Sequence, residues 1–193
     1  MTGRFSFIWL TAAALAAALL TRDAWAGSVK LSEEDLARQR TELVNLLGAS
    51  EKTPSCEDWR KFDEKTTVAA ISKAVQNEQE AAPVRVRAAF ALGCYQNPQA
   101  GRALHAVLDN PKTTHLVRGP ALVALADSQK GGAVPEIEKA LKSNDPQFRL
   151  AAVDAAKKAG TKQAFDVLRA LLKAEKFPLI QAHIRQVLGS AGK

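Results

Sequence analysis

A ten-residue phrase recurs along this chain at nearly constant spacing, and this recurrence constrains the fold more than any other feature. The four copies are VRVRAAFALG from Val84, VRGPALVALA from Val117, FRLAAVDAAK from Phe148 and IQAHIRQVLG from Ile180. Their first residues are separated by 33, 31 and 32 positions. Self-similarity at such a period is typical of architectures in which small units stack on one another.

A second phrase lies between the copies of the first, so each repeat has two parts. Its copies are VAAISKAVQN from Val68, GRALHAVLDN from Gly101, VPEIEKALKS from Val134 and FDVLRALLKA from Phe165. In both phrases apolar residues recur at i, i+3 and i+4, which is the pattern of an amphipathic helix. No segment shows the sustained alternation of a strand. We therefore predict an all-α fold of nine helices: about four helical hairpins plus a terminal helix, stacked as a solenoid.

The amino terminus has the pattern of a secretory signal peptide. Arg4 precedes an apolar stretch from Phe5 to Leu20, and Ala24 and Ala26 then provide the small-x-small cleavage pattern. The apolar stretch is short for a permanent membrane anchor, which is the alternative. We predict a signal peptide over residues 1–26 and a single repeat domain over residues 27–193. The protein is then periplasmic or secreted, with no stable membrane anchor after cleavage.

The charge balance indicates a mildly basic surface. The chain has 27 Lys and Arg residues against 20 Asp and Glu residues, and the acids are spread between the bases. This distribution favours a mixed, solvated surface over a continuous basic stripe for nucleic acid. We therefore expect a protein partner and no nucleic acid.

The repeat pattern is interrupted by an insert over residues 49–65, which contains Cys56 and Trp59. Cys94, at the end of a first-phrase helix, is the second of the two cysteines. In an exported chain two cysteines are expected to form one disulfide bond, the alternative being a reactive thiol. Because parallel first-phrase helices end at the same edge, a Cys56–Cys94 bond is within reach. Trp59 either covers apolar surface at this end of the stack or is an exposed anchor for a partner.

The second-phrase helices present a further candidate surface for a partner. Residues on either side of their apolar stripe become more basic toward the carboxyl terminus, which suits an acidic or extended protein segment. The alternative is an ordinary polar helix face. Together with Trp59, the candidate partner-binding residues are Ser72, Gln76, His105, Asp109, Glu138, Lys142, Arg169 and Lys173.

Sequence signals of catalysis or metal binding are missing. His105, His115 and His183 lie in different repeats, and the chain has no HExxH, GxSxG or glycine-rich phosphate loop. A zinc site needs several converging ligands, and none can be assembled from local spacing. We predict no catalytic residues, no metal site and no cofactor.

The phrase V-R-x-x-A-x-x-A-L-G, clearest at Val84–Gly93 and Val117–Ala126, resembles the HEAT-repeat family, especially its short, alanine-rich bacterial members. The resemblance implies a right-handed solenoid, with first helices on the convex side and second helices lining the concave side. It also implies that the arginine of the phrase is structural and pairs with an acid near the turn. That arginine is Arg85, Arg118 or Arg149 here, whereas the last copy has Gln181.

The function expected from these features is an exported, non-catalytic scaffold or adaptor of the HEAT-repeat type that binds a protein partner. Two alternatives remain open. One is an enzyme resembling the phycobilin lyases, in which short repeats of this kind also occur. The other is a purely structural spacer within an envelope assembly.

Overall fold

The computed structural model describes residues 32–48 and 54–190 of the chain. Within these residues the secondary structure consists of ten α-helices and one 3₁₀ helix, with no strand. The α-helices are α1 Glu33–Gly48, α2 Cys56–Trp59, α3 Glu64–Gln76, α4 Ala82–Gly93, α5 Pro98–Asp109, α6 His115–Gln129, α7 Val134–Leu141, α8 Pro146–Ala159, α9 Lys162–Leu172 and α10 Pro178–Ser190. The 3₁₀ helix, Lys130–Ala133, connects α6 to α7. The predicted signal peptide lies outside the described residues.

The all-α prediction is confirmed, and nine of the ten α-helices are those that the repeat predicts. The additional one is α2, which lies inside the insert. The insert is also shorter than predicted, because α3 begins at Glu64 and not after residue 65. Residues 49–53 of the insert lie outside the described residues. None of the described helices is both long and apolar enough to cross a bilayer.

Local sequence explains where the helices begin. Asn97 caps α5 by accepting a hydrogen bond of 2.8 Å from the backbone N–H of Gln99. Asp145 caps α8 in the same way, accepting from the N–H of Gln147 at 2.9 Å. Proline follows each cap at the first helical position, where its missing N–H has no cost. The turns before α5 and α8 therefore fix where these two helices begin.

The layers described next lie within residues 37–193, which form one compact unit. The first-helix layer consists of α4, α6, α8 and α10, and the second-helix layer of α3, α5, α7 and α9. Each first helix packs most extensively against the second helix that precedes it and against its neighbours in its own layer. The unit of closest packing is thus shifted by one helix from the predicted hairpin, in which a first helix pairs with the second helix that follows.

The two layers differ in how closely their helices approach. A Cβ atom at Gly93 of α4 would lie 3.0 Å from the Cα of Ala124 in α6. One at Gly119 of α6 would lie 3.0 Å from the Cβ of Ala151 in α8. By contrast, α5 and α7 make few backbone contacts with each other. The first helices therefore pack more closely on one another at these positions than α5 and α7 do.

The core runs between the two layers as one continuous cluster. Ile71, Leu104, Ile137 and Leu168 occupy the same position in successive second helices, and all four are completely buried. Each is the fourth residue of the second phrase, whose apolar spacing predicts one buried helix face. Burial of one such side chain stabilises the fold by about 1.5–3 kcal/mol, and neighbouring units share the surface that they bury.

Candidate functional site

The described part of the insert forms a short, strongly capped helix. The Ser55 hydroxyl accepts a hydrogen bond from the N–H of Asp58 at 3.3 Å, and the Asp58 carboxylate accepts from the N–H of Ser55 at 2.9 Å. This reciprocal capping box explains how four residues can hold helical geometry. Lys61, which donates to the carboxylate at 2.8 Å, and Ser55 together hold the pKa of Asp58 well below its usual value.

Three bonds fix this helix to the carboxyl end of α4. Cys56 and Cys94 form a disulfide bond with their Cα atoms 5.2 Å apart, as the cysteine count predicts. The guanidinium of Arg60 donates to the carbonyl of Cys94 at 3.0 Å. The hydroxyl of Tyr95 donates to the carbonyl of Trp59 at 2.8 Å, and burial raises the pKa of Tyr95 to about 12. The insert is therefore held against the repeats at several points.

The structure corrects one of the two interpretations of Trp59. Only 2% of this residue is exposed, so it is not an anchor that a partner could reach. Its indole is part of the core cluster, and the half-buried Phe62 packs against the same cluster. Trp59 therefore covers the apolar end of the stack, because a terminal repeat has no further unit to bury its face.

A groove lies between the insert and the first-helix layer. We call it the rim groove and define it by Pro54, Trp59, Phe90, Val123, Asp127 and Lys158. Its volume is about 310 Å³, and the disulfide bond forms part of its wall. Phe90 is 44% exposed, although aromatic side chains of this size are usually buried. The rim groove is thus a largely apolar cleft with one exposed aromatic side chain in its wall.

Charged residues close one end of the rim groove. The Nζ of Lys158 lies 3.2 Å from the carboxylate of Asp127, and the Nζ of Lys130 lies 3.0 Å from it. Burial raises the pKa of Asp127, but the hydrogen bonds from the two lysines outweigh this, and its pKa lies below the usual value. An ionised carboxylate and the ammonium group of Lys158 therefore line the cleft, and Lys130 binds the same carboxylate.

The predicted surface on the second helices is present only in part. Ser72 is 8% exposed and does not belong to it. The reason is that α3 packs against both α4 and α5, which buries a wider arc of α3 than one apolar stripe. The other predicted residues are exposed or half-buried: Gln76, Asp109, Lys142, Arg169 and Lys173 are exposed, and His105 and Glu138 are half-buried.

Ion pairs neutralise part of the basic character expected for that surface. Asp109 accepts from Lys139 on the neighbouring helix at 2.9 Å. Arg169 donates to Asp166 at 2.6 Å. The imidazole of His105 lies 3.7 Å from the carboxylate of Glu136. Of the basic residues predicted for this surface, Arg169 is thus paired, whereas no ion pair among the described residues involves Lys142 or Lys173.

Two of the three arginines in the repeat phrase have a clear structural role. The guanidinium of Arg149 forms two hydrogen bonds with the buried Glu175, at 2.9 and 3.2 Å. Arg118 stacks on the ring of Phe148, with its guanidinium carbon 4.3 Å from the ring centre. Both contacts tie a first helix to residues of the following unit. Among the described residues, no cluster of three or more potential metal ligands occurs.

A comparison with protein families bears directly on this architecture. Residues 112–189, from the loop before α6 to the end of α10, match the family model for HEAT repeats. Over these residues the chain is similar to HEAT repeats. HEAT repeats serve as scaffolds for protein–protein interaction, and this match gives no support for a relation to phycobilin lyases. No curated protein matches the sequence.

The rim groove was not predicted from the sequence, although the HEAT phrase contains a signal for it. The seventh residue of the four copies is, in order, Phe90, Val123, Asp154 and Gln186. Phe90, Asp154 and Gln186 are exposed and Val123 is half-buried, so the column changes from apolar to polar along the stack. An exposed aromatic residue in an otherwise alanine-rich helix face is the feature that indicates a contact surface.

Proposed function

We propose that this HEAT-repeat chain is an exported, non-catalytic scaffold that binds a protein partner through the rim groove. The observation that carries the proposal is the exposure of Phe90 in an apolar cleft beside the disulfide bond. Large apolar side chains in preformed clefts are the usual centres of protein interfaces. The cleft between α5 and α7 is smaller, about 170 Å³, and its lining includes the charged residues Arg118, Glu136 and Lys139.

The rigidity of the rim groove supports this role. The disulfide bond and the hydrogen bonds of Arg60 and Tyr95 hold the insert in place before any partner arrives. A preorganised cleft loses less conformational entropy on binding than a loop that must first be ordered. We expect the partner to insert an apolar side chain against Phe90 and Val123, which line the groove.

The chemistry of the partner follows from the charges at the end of the groove. Asp127 lies between Lys130 and Lys158, so both signs of charge are available there. We infer a partner segment with one large apolar residue followed by a polar or charged residue. Such a segment is recognised by shape at one end of the groove and by hydrogen bonds at the other.

Export is part of the proposal and rests on two features. The leader over residues 1–26 has the order of regions that signal peptidase requires. The disulfide bond is of the kind that persists in oxidising compartments. Fractionation of cells that produce the full chain tests this directly: the cleaved, oxidised form is expected in the periplasm or the medium. Recovery of an uncleaved, reduced chain from the cytoplasm would contradict it.

The partner site is tested by site-specific photocrosslinking in the compartment where the protein resides. A photoreactive phenylalanine analogue at position 90 is expected to crosslink to one partner. The same analogue at position 116, where Leu116 is 58% exposed on the same helix layer, is the matched control and should not. Phe90→Ser is expected to reduce capture of that partner at least tenfold, because central apolar residues dominate interface affinity.

The competing surface on the second helices is tested in the same assay. Reversing Lys142, Arg169 and Lys173 to glutamate should leave the crosslink at position 90 unchanged. If the triple reversal abolishes capture while Phe90→Ser does not, the partner binds the second helices and the rim groove is not the site. Full capture by both variants would favour the structural-spacer alternative.

A further inference from the structure

The Arg149–Glu175 pair shows how this fold provides hydrogen-bond acceptors for the guanidinium of the arginine in the repeat phrase. Nη1 of Arg149 donates to the carbonyl of Ser143 just after α7, at 2.8 Å. Its Nε and Nη2 donate to the two carboxylate oxygens of Glu175, in the turn between α9 and α10. One side of the guanidinium thus binds a helix end, and the other binds a carboxylate.

Arg85 occupies the same position of the phrase near the other end of the stack. It binds the carbonyl at a helix end but no carboxylate of the described residues. Its Nε donates to the carbonyl of Val75, near the end of α3, at 3.0 Å. The residue is 8% exposed, and its Nη2 is buried with no hydrogen-bond partner among the described residues. The hydroxyl of Thr113, which is 4% exposed, likewise has no partner in this part of the chain.

These two residues line the same cavity. It has a volume of about 210 Å³ and is bounded by the end of α3, the start of α4, the end of α5 and the turn that follows α5. Gln76 and Asn110 add amide groups to its wall. This space is several times the volume that one water molecule occupies in the liquid, and it therefore admits a carboxyl group.

The turn between α5 and α6 explains why no carboxylate of this chain reaches Arg85. Both this turn and the turn that contains Glu175 have five residues between the helices, and the third residue of the α5–α6 turn is Lys112. A base therefore stands where the other turn places its acid. Glu78, whose carboxylate accepts from the amide of Asn110 at 2.8 Å, lies beside the cavity but forms no ion pair with Arg85.

We propose that the Arg85 cavity binds a carboxylate group, with Arg85 as the cation and Thr113 as a hydroxyl donor. Charge-assisted hydrogen bonds are the strongest that a guanidinium forms, and a planar carboxylate matches its two donors. The carboxyl ends of α3 and α5 border the cavity, and the helix dipole makes such an end unfavourable for an anion. The Arg149–Glu175 pair nonetheless forms beside the carboxyl end of α7. The carboxylate comes either from a side chain or chain terminus of a bound protein or from a small free acid. The inference does not depend on the rim groove.

The first test uses the unmodified oxidised chain labelled with ¹⁵N. The Nε–Hε signal of Arg85, assigned by its loss in Arg85→Gln, is followed during titration with sodium acetate and, separately, with sodium chloride at equal ionic strength. A saturable shift with acetate and none with chloride is expected. Absence of a saturable acetate response at Arg85 would overturn the proposal, because water would then satisfy the guanidinium.

Two variants provide a carboxylate from the chain itself. Thr113→Glu places one in the cavity wall, and Thr113→Gln is its neutral control of equal size. Thr113→Glu is expected to have the higher melting temperature of the two and to lose the acetate response. Lys112→Glu, at an exposed position, is a second variant that does not require a larger buried side chain and should likewise raise the melting temperature. Equal or lower melting temperatures for both glutamate variants would contradict the proposal.

A pair of short peptides distinguishes the two sources of the carboxylate. Each is capped at both ends, and they differ only by one glutamate or glutamine. If the glutamate peptide shifts the Arg85 signal at a concentration at least tenfold below acetate, a protein carboxylate is the ligand. If succinate or acetate binds more tightly than the peptide, the ligand is a free acid. A glutamine peptide that binds as well as the glutamate peptide would contradict carboxylate recognition.

Discussion

The hydroxyl of Tyr95 donates a hydrogen bond to the backbone carbonyl of Trp59, a residue 36 positions earlier in the chain. The two residues flank the disulfide bond, since Trp59 ends the helix that begins at Cys56 and Tyr95 directly follows Cys94. Both are almost completely buried. The covalent and the noncovalent connection therefore support each other, and the wall of the rim groove depends on both.

The Tyr95→Phe variant should test the noncovalent connection. It leaves the Trp59 carbonyl without its donor, and the expected loss in the free energy of unfolding is about 1–2 kcal/mol, measured by urea denaturation. The pKa of Tyr95 is raised in the folded state, so the stability from its proton is present below pH 10 and is lost toward pH 12. Tyr95→Phe should therefore lose less stability over that range than the parent. An identical alkaline transition would contradict the assignment.

Replacing both Cys56 and Cys94 by serine should test the covalent connection. The bond spans 38 residues, for which loop-closure entropy predicts a loss of about 3–4 kcal/mol in the free energy of unfolding. Reduction of the parent protein should shift its denaturation midpoint to that of the double variant. Thiol labelling of the folded, unreduced chain is the control and should find no reactive cysteine. Two labelled thiols would exclude the bond.

The Arg149–Glu175 pair should contribute more to the free energy of unfolding than an exposed ion pair does. Glu175→Gln leaves the buried guanidinium without its carboxylate, at an expected cost of about 3–5 kcal/mol. The matched change Asp109→Asn, at an exposed pair, should cost less than about 1 kcal/mol. Similar losses in the two variants would show that burial does not strengthen the pair.

Because of the same pair, the free energy of unfolding should decrease as the pH falls into the acid range. Hydrogen bonds from Arg149 lower the pKa of Glu175 in the folded state, although burial opposes this. Its contribution is therefore complete above the unfolded pKa of about 4.3 and is lost as the pH falls through the lower folded pKa. Urea denaturation at a series of pH values should show a smaller acid-induced loss for Glu175→Gln than for the parent.

Two glycine substitutions should change stability in opposite directions. A Cβ at Gly93 would press on the backbone of Ala124, so Gly93→Ala should destabilise the protein despite the better helix propensity of alanine. At Gly189 nothing among the described residues lies within 4 Å of such a Cβ, and Gly189→Ala should stabilise α10 by up to about 1 kcal/mol. The melting temperatures of the two variants, compared with that of the parent protein, test this prediction. Stabilisation by both would show that α4 and α6 can move apart.

The helices and their core can be predicted from the sequence because the same pattern occurs in several repeats, and an ambiguous residue in one repeat is resolved by its counterparts in the others. The column from Ile71 to Leu168 recurs in four units, so one period determines both the helix and its buried face. Side chains at the edge of that face were harder to assign. Ser72 is buried because α3 contacts two helices, whereas Arg169, at the same position of α9, is exposed where the packing is looser.

The candidate site could not be predicted in the same way because it does not repeat. The rim groove combines Trp59 from the insert, Phe90 from α4, Val123 from α6 and Lys158 from α8. The disulfide bond and the hydrogen bonds of Arg60 and Tyr95 hold the insert against the first-helix layer, and the position of Trp59 follows from these contacts and not from any periodic pattern. Likewise, the missing acid beside Arg85 becomes visible only when the turn is compared with its counterpart at Glu175.

The bond between Cys56 and Cys94 also makes the two ends of the stack differ in local stability. In an array whose units contact only their neighbours, fraying can start at either end. Here the bond locks α3 and α4 into a closed loop, while α10 has no such restraint. Hydrogen exchange should thus proceed inward from the carboxyl terminus, and a protease acting on the oxidised protein should remove α10 and α9 before it reaches the rim groove.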